Sequence, residues 1–148
     1  MGLASEADVV SIEKTLTIIK PDGVQQKNIG DIIKRLEEND FSIRAAKFLH
    51  LTRTQAEGFY AVHRGKSFFN DLTRYMSSGP ILVLVLEADH AINRLRDLMG
   101  ATDPAKAAKG TIRQLYATSI EKNVIHGSDG PETAKAEISY FFTSLELV

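Results

Sequence analysis

The chain has 148 residues, 43% of them hydrophobic and 25% charged, which is enough for one domain with a buried core. Its 18 lysines and arginines against 19 aspartates and glutamates give a net charge of −1, so a nucleic-acid binder that depends on overall positive charge is not expected. The absence of cysteine excludes thiol catalysis, disulfides and cysteine-ligated zinc, and it suits a cytoplasmic protein.

The sequence predicts one domain preceded by a short leader. Residues 1–13 lack the basic and apolar regions of a signal peptide, and we interpret them as a poorly ordered leader. Residues 14–148 contain no internal repeat and no linker that would divide two domains. Their longest apolar run, residues 81–86, is far too short to span a bilayer, so no membrane association is expected.

Hydrophobic periodicity after the leader predicts an alternation of strands and helices. In chain order these are a strand at 15–19, a helix at 29–36, a strand at 41–51, helices at 55–63 and 68–76, a strand at 81–86, a helix at 91–99, a helix or turn at 111–117, a strand at 124–125 and a helix from 131. Without the pair of helices before residue 76, this order is βαββαβ. It predicts an α+β protein with a ferredoxin-like, four-stranded antiparallel sheet, in which the apolar strand is covered on both faces.

Turn and capping residues mark the ends of these elements. The Lys-Pro-Asp-Gly sequence at 20–23 predicts a turn after the first strand. Asn28, Thr54 and Asp89 are placed to begin three of the helices. Gly100 is placed to end the last of these three, because glycine adopts the left-handed conformation that often closes a helix.

The sequence contains no glycine-rich phosphate-binding loop, since both G-x-x-x-x-G-K-[ST] and G-x-G-x-x-G are missing. Any phosphate would therefore have to be bound by side chains, and the planar guanidinium of arginine suits that task. An irregular segment at 101–110 is of the kind that is usually functional or interfacial. The candidates near it or at the end of the first strand are Lys20, Arg96, Thr102 and Arg113. Each of them alone is more readily explained as a solvated surface residue.

His126 is the histidine whose surroundings favour a chemical role, because it follows a short strand and precedes a glycine. Ordinary amphipathic segments contain the other three, His50, His63 and His90. A metal site would require a second ligand at short spacing, and a serine nucleophile would require a G-x-S-x-G turn; neither is present. An imidazole can itself be a nucleophile when a partner fixes its tautomer, and Glu137 and Ser128 are the nearest candidates. A structural histidine is the alternative.

Six segments together resemble the nucleoside diphosphate kinases. They are TLTIIKPDGV at 15–24, IGDIIKR at 29–35, SGP at 78–80, MGATDP at 99–104, GTIR at 110–113 and NVIHGSD at 123–129. The resemblance extends from about residue 13 to residue 142. It implies the ferredoxin-like fold and a ping-pong reaction, in which the γ-phosphate of a nucleoside triphosphate passes to a nucleoside diphosphate through a phosphohistidine.

The resemblance also implies roles for individual residues. His126 would be phosphorylated on Nδ1, Glu137 would orient its ring, and Ser128 would support the pair. Lys20 and Asn123 would hold the sugar hydroxyls. Four further residues would contact the phosphates, namely Tyr60, Arg96, Thr102 and Arg113. The ring of Phe68 would stack on the base. Three departures from the family pattern fall on none of these positions, namely Ser67, Leu115 and Gly130.

The same resemblance implies the ligands and the assembly. ATP and other nucleoside triphosphates and diphosphates would be substrates, with Mg²⁺ held mainly by their phosphates rather than by protein ligands. Stacking accepts every base, so broad base and sugar specificity is expected. The chain would form a homo-oligomer, either a hexamer or a tetramer, with segment 101–110 at a subunit contact in the hexamer. Nucleic acid is not expected as a partner, and a nucleotide-binding module without turnover is the competing hypothesis.

Overall fold

The computed structural model describes residues 11–148 and contains a four-stranded antiparallel sheet. The strands are β1 (Ile12–Ile19), β2 (Ser42–Leu49), β3 (Ile81–Asp89) and β4 (Ile125–Gly127). Their order across the sheet is β2-β3-β1-β4, so β1 and β3 lie at the centre. The predicted α+β, ferredoxin-like sheet is confirmed, and so is the central position of the apolar strand at 81–86.

Most of the predicted leader lies outside the described residues, because the description begins at residue 11. Ile12 and Glu13, which the sequence assigned to the leader, belong to β1 and pair there with Asp89 and Ala88. The first strand is therefore longer than the alternation of side chains indicated. The division into a leader and one domain stays a prediction.

Helices cover both faces of the sheet. They are α1 (Pro21–Gln25), α2 (Ile29–Glu38), α3 (Arg53–Phe59), α4 (Phe69–Met76), α5 (Ala91–Met99), α6 (Ile112–Tyr116) and α7 (Pro131–Phe141). Short 3₁₀ turns occur at Ala61–His63, Pro104–Lys106 and Ser144–Glu146. Within residues 11–148 no helix is both long enough and apolar enough to cross a membrane.

The Lys-Pro-Asp-Gly sequence forms the beginning of α1 rather than an isolated turn. Pro21 occupies the first helical position, where an amide hydrogen would have no partner within the helix and its loss costs nothing. Lys20 precedes it in an extended conformation, with φ −73° and ψ 168°. The chain thus leaves β1 and enters a helix within one residue, which fixes the position of Lys20 at the end of the strand.

Two of the predicted helix caps are wrong by one or two residues. The helix predicted to begin at Thr54 is capped by Thr52, whose hydroxyl accepts from the Gln55 amide while the Gln55 side chain accepts from the Thr52 amide. Asp89 does not cap α5. It is the last residue of β3, and its carboxylate accepts instead from the Ser11 amide at 2.7 Å.

Two other predicted helix ends are confirmed in position, but one of them lacks the expected capping hydrogen bond. Asn28 does precede α2, but its backbone is helical and its side chain makes no capping hydrogen bond. Gly100 closes α5 with φ 88°, a conformation in which a side chain is strained. A Cβ at this position would also collide with the side chain of Thr111, so the close contact between α5 and the start of α6 depends on the glycine.

Alternate residues of the central strands face two separate apolar layers. One layer packs Leu16 and Ile18 of β1 and Val83 of β3 against α3, α4 and α7. The other packs Ile19 and Leu84 against α2, α5 and α6. All five of these side chains are essentially inaccessible to solvent. Because β1 and β3 are covered on both faces, they form a rigid frame on which the edge strand β4 is held.

Gly127, at the end of β4, provides a test of how tightly this frame is packed. A Cβ there would lie 2.6 Å from Met99 Sδ and 3.1 Å from Leu95 Cδ2, so we expect Gly127→Ala to lower the free energy of unfolding by ~1–3 kcal/mol. The matched control is Gly30→Ala on the exposed surface of α2, where a Cβ meets nothing within 4 Å. The free energy of unfolding of that variant, measured by urea denaturation, should rise by ~0.4–1 kcal/mol. Equal effects of the two substitutions would contradict the packing argument.

Candidate active site

A cleft of about 780 Å³ opens beside β4 and contains most of the predicted site residues. Eight of the ten line it: Lys20, Tyr60, Arg96, Thr102, Arg113, Asn123, His126 and Glu137. They come from the end of β1, the turn after α3, helices α5, α6 and α7, the 100–103 segment and the chain around β4. Residues that are far apart in the sequence therefore share one concave surface, as the sequence predicted.

His126 and Glu137 form a hydrogen-bonded pair at the wall of the cleft. The His126 Nε2 atom lies 2.9 Å from Glu137 Oε1, and the two side chains are 19% and 15% exposed. Ser128 is fully buried behind them, and its hydroxyl donates to the same carboxylate oxygen at 2.7 Å. The three residues predicted to act together are thus in direct contact, and Glu137 connects the other two.

This geometry selects one tautomer of the His126 ring. A carboxylate oxygen can only accept, so the Nε2 atom must carry the hydrogen. The Nδ1 atom of the neutral ring then keeps its lone pair, which is the state that a nucleophile requires. The edge-to-face contact with Phe59, at a centroid distance of 5.6 Å and an angle of 74°, further restrains the ring.

Strand pairing fixes the backbone of His126. The residue lies opposite Ile18 of β1, and its carbonyl oxygen accepts from the Thr17 hydroxyl at 2.7 Å. Ser128 continues this pairing, because its amide donates to Leu16 O at 3.1 Å. The nucleophile candidate is therefore carried by an edge strand that is held firmly to the rigid centre of the sheet.

Lys20 and Asn123 form a second pair on the floor of the cleft. Lys20 Nζ donates to Asn123 Oδ1 at 2.7 Å, and the lysine is only 7% exposed. Burial, together with the positive charge of Arg113, lowers the pKa of Lys20 to about 8, although Asp22 acts in the opposite direction. A group with this pKa is still mostly protonated at neutral pH, and its side-chain hydrogen bond goes to the neutral amide of Asn123.

Arg113 is held by main-chain carbonyl groups rather than by carboxylates. Its Nη2 donates to Ile125 O at 2.8 Å, Nη1 to Gly100 O at 3.1 Å and Nε to Asn123 O at 3.4 Å. Burial, with the nearby charge of Arg96, lowers its pKa to about 10. Carbonyl groups orient the guanidinium without neutralising it, so its charge remains available to an anion in the cleft.

Tyr60 presents a buried hydroxyl to the cleft. The residue is 6% exposed, and its oxygen has no hydrogen-bond partner among the described residues. Burial, helped by the negative charge of Glu137, raises the pKa of this hydroxyl well above its usual range, so it stays protonated and can donate a hydrogen bond. A buried donor without a partner is costly unless a ligand supplies an acceptor.

The remaining predicted residues lie at the open side of the cleft. Arg96 and Thr102 are exposed and line it. Phe68 does not line it, although its ring packs edge-to-face on His63, which does, at a centroid distance of 5.2 Å. Phe68 is 46% exposed and therefore offers a free ring surface next to the cleft rather than inside it.

Sequence reasoning missed two residues that support the site. Phe59 restrains the ring of His126, as described above, but the sequence placed it only as an apolar position of a helix. Asp22 was treated as part of a turn, yet its buried carboxylate accepts from the Val124 amide at 3.1 Å, two residues before His126. The only signal was the position of Asp22 two residues after Lys20.

The fold and the cleft together define an α+β enzyme that is suited to phosphate transfer. A histidine held by a carboxylate stands beside Lys20 and Arg113, with further hydrogen-bond donors around them. Such a set can bind an anion and present an imidazole nitrogen to it.

Comparison with known proteins identifies the family. The family model described as nucleoside diphosphate kinase matches residues 13–147. A nucleoside diphosphate kinase of Desulfosudis oleivorans is 57% identical over 137 residues, which are 93% of this chain and 99% of that protein. One from Sorangium cellulosum is 51% identical over 138 residues, or 93% of this chain and 96% of that protein. The chain belongs to the nucleoside diphosphate kinase family, and the resemblance inferred from its motifs is confirmed.

Solved structures agree with this assignment. The nucleoside diphosphate kinase of Aquifex aeolicus superposes with a TM-score of 0.91 at 42% identity, covering 93% of this chain and all (100%) of that one. The enzyme of Halobacterium salinarum, solved in complex with CDP, superposes with a TM-score of 0.89 at 41% identity. The match covers 93% of this chain and 92% of that one. The expected fold and the expected class of enzyme, a kinase that acts on nucleotides, are both confirmed.

The lowered pKa of Lys20 predicts a pH dependence of stability. Between about 8 and the ordinary value of 10.5 the unfolded chain binds more protons at this residue than the folded chain does. The stability of the protein relative to Lys20→Met should therefore rise with pH across this interval, by at most ~1.4 kcal/mol per pH unit. Urea unfolding of both proteins between pH 7 and 10 measures the difference. A constant difference would show that Lys20 titrates normally.

Proposed function

We propose that this chain transfers the γ-phosphate of a nucleoside triphosphate to a nucleoside diphosphate through a phosphohistidine at His126. The observation that carries the proposal is the 2.9 Å hydrogen bond from the ring to Glu137, within a cleft that also contains Lys20 and Arg113. It supports a neutral imidazole with a free Nδ1 atom beside a binding site for phosphates.

In the first half-reaction, His126 Nδ1 attacks the γ-phosphorus of the donor. A nitrogen–phosphorus bond forms as the bond from that phosphorus to the β,γ-bridging oxygen breaks, and the nucleoside diphosphate leaves with the electron pair. The ring becomes cationic when it is phosphorylated, and Glu137 offsets that charge through the Nε2 hydrogen. Ser128, which donates to the same oxygen, holds the carboxylate in place.

The second half-reaction reverses these steps with another nucleotide. A terminal phosphate oxygen of the acceptor diphosphate attacks the phosphorus, and the bond to Nδ1 breaks. The ring regains its neutral state without a net gain or loss of protons. One cleft serves the donor and the acceptor in turn, since both present the same phosphates and sugar.

The cations would stabilise the charge that spreads over the phosphoryl oxygens during transfer. Phosphoryl transfer is catalysed mainly by placement and electrostatic stabilisation. Arg113 is held rigidly by carbonyl groups, whereas Arg96 is exposed and free to adjust to the bound phosphates. The Thr102 hydroxyl and the partnerless hydroxyl of Tyr60 supply neutral donors.

The nucleoside would lie between the floor of the cleft and its open side. Lys20 and Asn123 would bind the sugar hydroxyls, and their mutual hydrogen bond sets the distance between the two groups. Phe68 would stack on the base from its exposed position. Stacking requires only a flat ring, so we expect all common bases to be accepted. The CDP complex of the Halobacterium salinarum relative supports a nucleotide as the ligand.

Mg²⁺ would arrive with the nucleotide phosphates. Among the described residues, no group of three or more histidine, aspartate and glutamate side chains is placed to hold a metal ion. Of the three carboxylates that line the cleft, Asp129, Glu132 and Glu137, the last is already bonded to His126 and Ser128. These residues fit a metal ion that is bound chiefly by the substrate. When present, Mg²⁺ neutralises part of the phosphate charge.

The phosphohistidine is tested by substituting the nucleophile. His126→Ala should lower nucleotide exchange by a factor on the order of 10³ or more, and it should abolish an acid-labile, base-stable label from γ-³²P-ATP with Mg²⁺. In the unchanged protein, GDP should remove that label. The matched control is His90→Ala, because the side chain of His90 is 58% exposed and outside the cleft. Retained exchange activity in His126→Ala would disprove the mechanism.

We further infer that copies of this chain associate into a tetramer or a hexamer. The support is apolar surface left exposed in the single chain, where Phe48 on the edge strand β2 is 60% exposed and Ile12 on β1 is 60% exposed. The role of segment 101–110 as a subunit contact, the cytoplasmic location and the absence of a nucleic-acid partner stay predictions.

Light scattering after size exclusion tests the assembly. We expect a mass of four or six times 16.3 kDa. Phe48→Asp should shift the population to smaller species if this exposed ring is buried between subunits, since a buried carboxylate without a partner is unfavourable. A mass of one chain for the unchanged protein would contradict the inference.

A further inference from the structure

The residues just before His126 form a strained turn. The Ile125 amide donates to Asn123 O at 2.8 Å, and Val124 between them has φ 74°. This is a three-residue γ-turn of the rare form with a positive central φ. A β-branched residue is a clear outlier in this region of backbone conformation, which side chains other than asparagine and aspartate seldom adopt. The surrounding structure must therefore hold Val124 in place.

Both main-chain polar groups of Val124 are bound by the segment that follows β1. Its amide donates to Asp22 Oδ2 at 3.1 Å, and its carbonyl oxygen accepts from the Lys20 amide at 2.7 Å. The Val124 side chain is fully buried and packs against Gly23, where an added Cβ would lie 3.1 Å from Val124 Cγ1. The turn is thus held by contacts that are about a hundred residues away in sequence.

Tyr75 at the end of α4 completes this support. Its hydroxyl donates to Asp22 Oδ1, and the Asp22 amide in turn donates to the tyrosine oxygen at 3.2 Å. Burial and the adjacent Asp22 carboxyl raise the pKa of the Tyr75 hydroxyl far above its usual range, so it remains a donor. One Asp22 oxygen is therefore held by Tyr75 and the other by the strained turn.

The opposite side of the turn faces the cleft. Arg113 donates to the carbonyl oxygens of Asn123 and Ile125, and the Asn123 side chain accepts from Lys20 Nζ. Asp22 and Tyr75 do not line the cleft; they line a separate surface cavity of about 360 Å³. They are connected to the cleft through the turn, and Asp22 also acts on the charge of Lys20.

We propose that Asp22 and Tyr75 are positioning residues, which keep Val124 in its positive-φ conformation and so place Asn123 and His126. This inference rests on the proposed function, because it assigns a supporting pair to the same site. When the pair is lost, Val124 relaxes towards negative φ, the γ-turn opens, and the Nδ1 atom of His126 moves away from the line of attack. The strained backbone conformation just before the nucleophile is thus maintained by a tyrosine that lies outside the cleft.

Tyr75→Phe is the direct test, since it removes the hydroxyl and keeps the ring. The rate at which the enzyme takes up phosphate from ATP in a single turnover should fall about tenfold or more. Asp22→Ala should have the same effect in the fraction that folds, as judged by circular dichroism. An unchanged rate in Tyr75→Phe would overturn the proposal, whatever the outcome for Asp22→Ala.

Substitution of Val124 separates positioning from a general structural role. Glycine adopts positive φ without strain, so the penalty of Tyr75→Phe should shrink to about twofold in a Val124→Gly background. In the matched Val124→Ala background it should remain near tenfold, because alanine also loses the buried side chain but keeps the Cβ that causes the strain. Equal penalties in the glycine and alanine backgrounds would overturn the proposal.

Hydrogen exchange of the Ile125 amide reports on the turn without reference to activity. Tyr75→Phe should accelerate this exchange, and Val124→Gly should remove much of the difference. If His126→Ala retained nucleotide exchange, the proposed function would fail while the effect on the Ile125 amide would stand. An Ile125 amide that exchanges equally slowly with and without the Tyr75 hydroxyl would refute the positioning role alone.

Discussion

One carboxylate oxygen, Glu137 Oε1, organises the chemistry of this protein. It accepts hydrogen bonds from both the His126 ring and the Ser128 hydroxyl, and these two residues come from the strand and the turn that precede its own helix. The acceptor decides which ring nitrogen carries the hydrogen, and therefore which one is free to react. In the proposed mechanism, a side chain on α7 thus sets the reactivity of a residue on β4, and catalysis depends on the packing of that helix on the sheet.

The buried cations of the cleft are held by neutral acceptors, whereas His126 is held by a carboxylate. Arg113 donates to three carbonyl oxygens and Lys20 donates to an amide oxygen, so the hydrogen bonds that hold these two groups go to neutral acceptors. Dipoles orient these groups, whereas an ion pair would have neutralised them. In the proposed mechanism this leaves the positive charge for the phosphates, and the buried hydroxyl of Tyr60, which has no hydrogen-bond partner among the described residues, keeps its hydrogen for a ligand.

Local sequence patterns were sufficient for the α+β sheet and for most of the helices, because these depend on periodicity, whereas most of the site residues were proposed from the family resemblance of a few distinctive motifs. The start of α3 could also have been found, since Thr52 and Gln55 have the spacing of a capping box. The conformation of Val124 could not. Valine favours extended backbone, and the groups that override this preference, Asp22 and Tyr75, belong to distant parts of the chain. The prediction that Phe68 stacks on the base remains a prediction, and its position beside rather than inside the cleft depends on tertiary packing.

The unneutralised charge of Lys20 and Arg113 has a further consequence for the ligand-free protein. Each of these groups is buried, and the charge of Arg113 adds to the effect of burial in lowering the pKa of Lys20, so the two cations repel each other. A polyphosphate that binds there relieves this repulsion as well as making its own contacts, and it binds the folded state alone. Bound nucleotide then adds to the free energy of unfolding of the native structure. The stability of the fold therefore depends on the nucleotide concentration, and the protein is most resistant to unfolding when nucleotide is abundant.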